Sequence, residues 1–397
     1  MKLEPIIQSL LDTDLYKFTM DQAFFLRNTD LEGKYYFTCR NKDVVFTKEM
    51  YDEICEQVDY LCGLTFTQDE LDYLRGIRFL RRDYIEFLRL WHPIREYVDI
   101  QWHDGKLDIV VDGPLFSAMF FEIYLLEIIS EVYFRMNYIY DVVIEGARAR
   151  LDANIKAFQD GTYTFKFSEF GGRRRFSREW QDEVVRRFAT ETNAMVGTSN
   201  VYLAKKYNLM PTGTSAHEYT MAMLGYEKIP LAYANYYALK EWYDVYRGDN
   251  GIALTDTLGT DVFLLDFDRS MASTFTGCRN DSGDPYEWAD KLIAHYKKYH
   301  IDPHTKTLLF SNSLSLDEAQ NLYNAYKDKV NVAFGIGGGV TTCGTVPGLN
   351  IVIKLQYVNG RPVAKLSDDA GKTMCQDSSY IEYLKSAVKF RLENERK

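Results

Sequence analysis

Four stretches of this chain bring together residue types that handle phosphate, sugar and charge. In Arg279-Asn-Asp281-Ser-Gly-Asp284-Pro a cation and two carboxylates share one tight turn. Such a loop can hold ribose hydroxyls, or Mg2+ jointly with substrate phosphates. Asp284 stands before Pro285 and also reads as a helix N-cap, so Asp281 is the stronger functional candidate. Asp256, at the end of a separate strand-like run, is positioned to meet it. Gly335-Ile-Gly337-Gly338-Gly339 follows the apolar run 331–334. Glycines there let backbone N–H groups close on a phosphate, or serve a turn that needs positive φ. The loop has neither the lysine of a P-loop nor a G-x-G-x-x-G spacing, which excludes both of those fingerprints. Arg173-Arg174-Arg175 follows Phe170-Gly171-Gly172. It is either a solvated basic cluster or a fork for bidentate anion capture beside a ring, Phe170, that can stack on a flat substrate. His217, one of six histidines, sits in Gly213-Thr-Ser-Ala-His-Glu. It is either a hydrogen-bonded structural residue or a base or phosphoryl acceptor whose ring Glu218 could orient.

What must hold these residues is a repeated strand-then-loop pattern. The runs 162–168, 194–197, 209–213, 251–254, 274–278, 306–310 and 331–334 are strand-like, and each has polar or Gly-rich residues at its C-terminal end. Most are followed by a helical pattern. In a closed parallel barrel that end is where the βα loops converge, so the spacing predicts an irregular β/α barrel over residues 136–349. A doubly wound open sheet loads only the strand ends near a switch point, and seven loaded ends suit it poorly. Residues 1–135 read as an α+β domain, mainly helical with extended pieces at 34–40 and 101–111. Residues 350–397 hold a further strand at 351–357, a loop of mixed charge at 365–372 and a charged helix from Tyr380, a tail expected to return to the first domain. The most apolar stretch, 115–134, is interrupted by Glu122, Glu127 and Glu131. Three acids make a membrane span costly, so it is read as a buried helix with one wet or functional edge.

Composition narrows the partners. The 397 residues are 46% apolar and 26% charged with a net charge of −10, enough for two cored domains and unsuited to a broad polyanion-binding surface. Nucleic acid and membrane are therefore not expected partners, while a local basic cluster still admits small phosphorylated substrates. The six cysteines show no paired metal-ligand spacing and no disulfide framework. The first residues carry acids where a signal peptide needs an uninterrupted apolar core, so a cytoplasmic protein is expected.

Seven ordered motifs together resemble the nicotinate phosphoribosyltransferase family over essentially the whole chain. They are Leu11-Asp-Thr-Asp-Leu-Tyr16-Lys, Phe170-Gly-Gly-Arg-Arg, Gly197-Thr-Ser-Asn, Ser215-Ala-His217-Glu, Asp256-Thr, Arg279-Asn-Asp-Ser-Gly-Asp and Phe334-Gly-Ile-Gly-Gly-Gly. The resemblance implies an irregular β/α barrel packed against an α+β domain. It also implies synthesis of nicotinate mononucleotide and pyrophosphate from nicotinate and 5-phosphoribosyl 1-pyrophosphate, a step of NAD biosynthesis, coupled to ATP hydrolysis through a phosphohistidine. On this resemblance Phe170 and Arg173 would hold the pyridine ring and its carboxylate. Tyr16 and Arg40 would reach in from the other subunit of a homodimer with shared active sites. Asp256 and Asp281 would bind ribose or Mg2+, Arg279 and Ser311 would contact substrate, and Gly337 and Gly338 would cradle the 5′-phosphate. His217 would be phosphorylated by ATP, the co-substrate. Lys354, Lys365 and Lys372 would contact pyrophosphate. Ser199 stands where nicotinamide-using relatives carry an aspartate, which favours the acid as substrate. Nicotinamide or quinolinate as the base, or a sugar-phosphate aldolase or isomerase on a similar barrel, are the alternatives.

Overall fold

Twelve strands in two sheets organise residues 4–395, the residues that the computed structural model describes. In chain order they are β1 (Glu32–Cys39), β2 (Val98–His103), β3 (Lys106–Pro114), β4 (Phe167–Glu169), β5 (Met195–Thr198) and β6 (Met210–Pro211). Then follow β7 (Ile252–Leu254), β8 (Gly277–Asn280), β9 (Thr307–Phe310), β10 (Asn331–Ile336), β11 (Ile351–Val358) and β12 (Arg361–Pro362).

Strands β4 to β10 form one all-parallel sheet in the order β6-β5-β4-β10-β9-β8-β7. Strands adjacent in sequence therefore lie side by side except β6 and β7, and the β4–β10 ladder joins the last strand to the first. The curled sheet is open at one seam, between the edge strands β6 and β7. Its strands are short and largely apolar, as in Thr307–Phe310 and Asn331–Ile336, the pattern of a parallel sheet covered on both faces. Side-chain caps start several of the helices that follow. Asn200 accepts from the Leu203 N–H, Asp284 from the Tyr286 and Glu287 N–H groups at 2.9 Å, and Ser315 forms a capping box with Glu318. Asp284 is thus the helix cap that its place before Pro285 predicts.

The second sheet is antiparallel, in the order β12-β11-β1-β3-β2. Strand β11 pairs with β1 from Gly33↔Val358 to Cys39↔Ile351, so residues 351–362 lie in a sheet otherwise built from residues 32–114, whereas the last helix, Ser378–Glu395, packs on the barrel side, where Arg391 pairs with Asp266 at 2.6 Å. Several expected elements are shorter or divided. The run 162–168 contributes only Phe167–Glu169, and 209–213 only Met210–Pro211, where Pro211 lacks the N–H needed to extend a ladder. The run 274–278 begins as the last residue of a helix, Arg269–Thr274. The stretch 115–134 splits into Leu115–Ala118 and Phe121–Asn137. Its acids do not form a wet edge, because Glu122, Glu127 and Glu131 are all buried. Glu127 and Glu131 face the fully buried Arg175 at 3.3 and 3.7 Å, and Arg175 also forms a two-pronged pair with Asp12 at 2.8 and 3.1 Å. Arg175 therefore ties the barrel to the first residues of the chain. Among the described residues no helix is long and apolar enough to cross a membrane.

Candidate active site

The loops after β6, β7 and β8 meet at one point. His217 begins the helix His217–Leu224, and its Nε2 lies 2.8 Å from Asp256 Oδ1 and 3.6 Å from Asp281 Oδ2. The other oxygen of Asp256 accepts from Ser282 Oγ at 2.5 Å and from Lys365 Nζ at 2.9 Å. Burial pushes the Asp256 carboxyl up, but His217 and Lys365 outweigh it and hold the group well below the usual carboxylate range. Asp281 Oδ1 accepts from Arg279 at 2.9 Å and from Ser311 Oγ at 3.2 Å. Burial is again outweighed, here by Arg279 and His217, and Asp281 stays below its ordinary value. Burial lowers the His217 imidazole despite the pull of Asp256, so near neutral pH the ring is uncharged and can act as a nucleophile. Lys372 completes this edge, donating to the Asp281 carbonyl at 3.0 Å and to Asn312.

A second cluster lines the adjoining side. Lys17, fully buried, is held between Glu122 at 2.7 Å and Glu218 at 2.8 Å, and the other oxygen of Glu122 takes Lys354 at 2.9 Å. Two cations thus balance two carboxylates. Arg173, in the turn after β4, lies near Tyr16 and close enough to the carboxylates of Glu122, Asp281 and Asp14 to be stabilised in its charged form. It forms no hydrogen bond or ion pair with the described residues, which leaves its guanidinium available to an anion. Ser199 Oγ donates to Asp14 Oδ1 at 2.6 Å, and burial raises the Asp14 carboxyl. Phe170 packs across the glycine loop: a Cβ on Gly335 would fall 2.2 Å from its ring, and one on Gly337 2.7 Å from its carbonyl oxygen.

The sequence profile of the nicotinate phosphoribosyltransferase (NAPRTase) family matches residues 165–392, and that of the NAPRTase N-terminal domain matches residues 11–130. The chain is 46% identical to a nicotinate phosphoribosyltransferase of Chromobacterium violaceum and 45% identical to one of Acinetobacter baumannii, each over 98% of both chains. The chain belongs to the nicotinate phosphoribosyltransferase family. Its fold agrees: the crystal structure of the Vibrio cholerae nicotinate phosphoribosyltransferase superposes with a TM-score of 0.89 at 32% identity, covering 100% of both chains. That of Porphyromonas gingivalis gives 0.88 at 33% identity, covering 97% of this chain and 100% of its own.

Within this nicotinate phosphoribosyltransferase fold, the expectations for Tyr16 and Glu218 need correction. Tyr16 does not need a second subunit to reach a site, because it stands among Asp14, Glu122, Arg173 and Glu218 of its own chain. The cause is backbone pairing: the Leu15 N–H donates to the Ser199 carbonyl, and the Val201 and Tyr202 N–H groups donate to Thr13 and Leu11, all at 2.8–2.9 Å. Arg40 is exposed and lies near Arg174 of the same chain; burial, together with repulsion from Arg173 and Arg40, lowers Arg174 to about 10. Glu218 does not orient His217, since its carboxylate is committed to Lys17 and Asp256 holds the ring. Lys354 stands at Glu122, whereas Lys365 stands at Asp256 and Lys372 at the Asp281 carbonyl. None of Gly335, Gly337, Gly338 and Gly339 has positive φ, so contact with Phe170 and Leu314, not turn geometry, excludes side chains at three of them. Gly338 differs, because a Cβ there meets nothing closer than Thr342 at 3.5 Å.

Sequence reasoning missed Lys17, Asp14, Ser282 and Asn312. The signals were Asp14 and Lys17 around Tyr16, and Ser282 beside Asp281, each inside a recognised motif. The ligand atoms of His217, Asp256 and Asp281 lie within 4.8 Å of one another. Both Asp256 oxygens already have partners, whereas Asp281 Oδ2 has only longer contacts, to His217 at 3.6 Å and Lys365 at 3.8 Å. The donor set therefore fits Mg2+ held by one carboxylate oxygen with substrate phosphates, and does not form a closed protein cage.

Proposed function

We propose that the chain synthesises nicotinate mononucleotide and pyrophosphate from nicotinate and 5-phosphoribosyl 1-pyrophosphate, with ATP hydrolysis coupled through His217. The observation that carries this reading is the contact of a neutral, half-buried His217 with Asp256, beside Asp281, Arg279 and Lys365, in a chain of this family. In the glycosyl step the ring nitrogen of nicotinate supplies the electron pair that bonds to the anomeric carbon. The bond from that carbon to pyrophosphate breaks, and its electron pair leaves with the pyrophosphate. Positive charge develops on the ribose and negative charge on the leaving group, so Asp256 and Asp281 stabilise one end while Lys365, Lys372 and Arg279 stabilise the other. No general base is needed, because the attacking lone pair carries no proton. Arg173 pairs with the nicotinate carboxylate and Phe170 stacks on the ring. Asp281 would hold Mg2+ together with the substrate phosphates, and the ion would there supply further charge neutralisation at the leaving group.

For coupling, the γ-phosphoryl group of ATP passes to His217: a P–N bond forms, the P–O bond to ADP breaks, and water later releases phosphate. Phosphorylation adds a dianion beside Asp256 and Asp281, which alters how the site holds a polyphosphate. The test is pyrophosphate release from nicotinate and 5-phosphoribosyl 1-pyrophosphate with Mg2+, with and without ATP. ATP-stimulated turnover and an acid-labile phosphoprotein are expected. Turnover of nicotinamide or quinolinate in place of nicotinate would overturn the substrate assignment, and phosphoprotein formation without stimulation would overturn the coupling.

A further inference from the structure

The loop of mixed charge after Lys365 folds into a strap across the barrel mouth. Lys365 and Met374 pair through both backbone N–H groups at 3.1 and 3.0 Å, and the Leu366 N–H donates to the Thr257 carbonyl at 2.8 Å. From this strap Lys365 reaches Asp256, and Lys372 reaches the Asp281 carbonyl and Asn312. Between the two lysines lies Asp368. One of its oxygens accepts from the Thr260 N–H at 2.8 Å and the other from the Thr260 hydroxyl at 2.6 Å, while its own N–H donates to Ser282 Oγ at 3.1 Å. Ser282 Oγ in turn donates to Asp256. The barrel makes room for this one side chain on two sides. Gly259 and Gly283, in the loops after β7 and β8, have φ of +96° and +73°, and a Cβ on either would sit 3.5 or 3.2 Å from Asp368. Both the left-handed backbone and the contact favour glycine there.

We propose that Asp368 is a positioning residue: it clips the strap to the loops after β7 and β8 and so sets Lys365 and Lys372 where the leaving pyrophosphate is held. It contacts neither His217 nor the oxygens of Asp256 and Asp281, and acts through Ser282 and the two lysines. The pyrophosphate role of those lysines rests on the function proposed above. The position of the strap does not.

Two measurements on the full chain test it. Steady-state kinetics of Asp368→Ala should raise KM for 5-phosphoribosyl 1-pyrophosphate by roughly tenfold, the scale of one charge-assisted hydrogen bond, with KM for nicotinate nearly unchanged. Asp368→Asn, which can still accept from the Thr260 N–H and donate to its hydroxyl, should recover most of that loss. Thr260→Val, which removes only the hydroxyl, should move KM in the same direction by a smaller factor. Separately, trypsin should cleave after Lys372 faster in Asp368→Ala than in the wild type, and magnesium pyrophosphate should protect the wild type but not the variant. If the wild type makes no nicotinate mononucleotide, the proposed function fails while the proteolysis still reads the strap. Equal cleavage rates in wild type and variant would overturn the clip. So would equal losses in both KM values together with a lower melting temperature that Asp368→Asn does not restore, because that pattern means general destabilisation.

Discussion

His217 Nε2 lies 2.8 Å from Asp256 Oδ1, and this contact decides which ring nitrogen is left to react. Asp256 stays ionised and His217 is neutral, so the carboxylate accepts and Nε2 carries the proton. The lone pair is then on Nδ1. Phosphoryl transfer is expected at Nδ1, which phosphorus NMR of the phosphorylated enzyme distinguishes from Nε2. His217→Ala should lose ATP stimulation and retain slow, ATP-independent synthesis. A variant still stimulated by ATP would remove His217 from the coupling step.

Because Tyr16 and Arg173 stand in one site of one chain, inactive chains carrying Tyr16→Ala and Arg173→Ala should not rescue each other when mixed. In a site shared between subunits, one hybrid site would be intact and activity would return. Activity measured after demonstrated subunit exchange separates the two arrangements, and recovery would contradict the single-chain site.

Ser199 donates to Asp14 at 2.6 Å, so a carboxylate already borders this loop. Ser199→Asp would set a second beside it, and one of the two would have to hold a proton. At pH 8, kcat/KM for nicotinate should fall at least tenfold, about 1.4 kcal/mol, with a smaller penalty at pH 6 where that proton is easily held. Kinetics with nicotinate and nicotinamide at both pH values check this, and unchanged values at pH 8 would rule out a role for this loop in base selection.

Glu169 offers a readout of stability. Burial lifts its carboxyl to about 7 despite hydrogen bonds from Thr198, the Gly171 N–H and Gln181. The folded state therefore binds the proton more tightly than the unfolded chain does. The stability from this group is complete below the unfolded value, about 4.5, and declines as pH rises toward 7 and above. A shift of that size corresponds to roughly 3 kcal/mol. Glu169→Gln removes the titration, so the variant should gain stability relative to the wild type between pH 5 and pH 8 in urea unfolding. A relative loss over that range would reverse the sign of the argument.

Residues at the C-terminal ends of barrel strands were legible in the sequence, because a parallel barrel brings those ends together whatever the length of the connections. His217, Asp256, Arg279 and Asp281 meet for this reason. The Lys17, Glu122, Glu218 and Lys354 cluster was not legible. Its members are single charges on separate elements, and the pairing of β11 with β1, which brings residue 354 toward the N-terminal elements, leaves no local pattern. The placement of Tyr16 was missed for a similar reason, since it depends on backbone bonds between residues 11–15 and the loop at 199–202. The glycine loop was recognised by composition, but its cause was not: packing against Phe170 is a contact between segments more than 160 residues apart.

That contact separates two glycines expected to act alike. An alanine methyl at Gly337 would sit 2.7 Å from the Phe170 carbonyl oxygen, a backbone atom tied to β10 through the neighbouring Phe170 N–H bond to the Ile336 carbonyl. It can yield only by moving the loop that carries Phe170 and Arg173. Gly337→Ala should therefore lose about 1–3 kcal/mol of stability, the usual cost of overpacking, and weaken binding of both substrates. At Gly338 the same methyl meets no protein atom within 3.4 Å, so the fold should tolerate it. It would instead occupy space at the exposed start of the short helix Gly338–Thr341, where the 5′-phosphate would approach the N–H groups. Gly338→Ala should keep a wild-type melting temperature and raise KM for 5-phosphoribosyl 1-pyrophosphate about tenfold, with KM for nicotinate little changed. Thermal melts and paired KM measurements on the two variants decide the matter. If Gly338→Ala binds 5-phosphoribosyl 1-pyrophosphate as the wild type does, the phosphate is held elsewhere, and the glycines of this loop serve only the packing of Phe170.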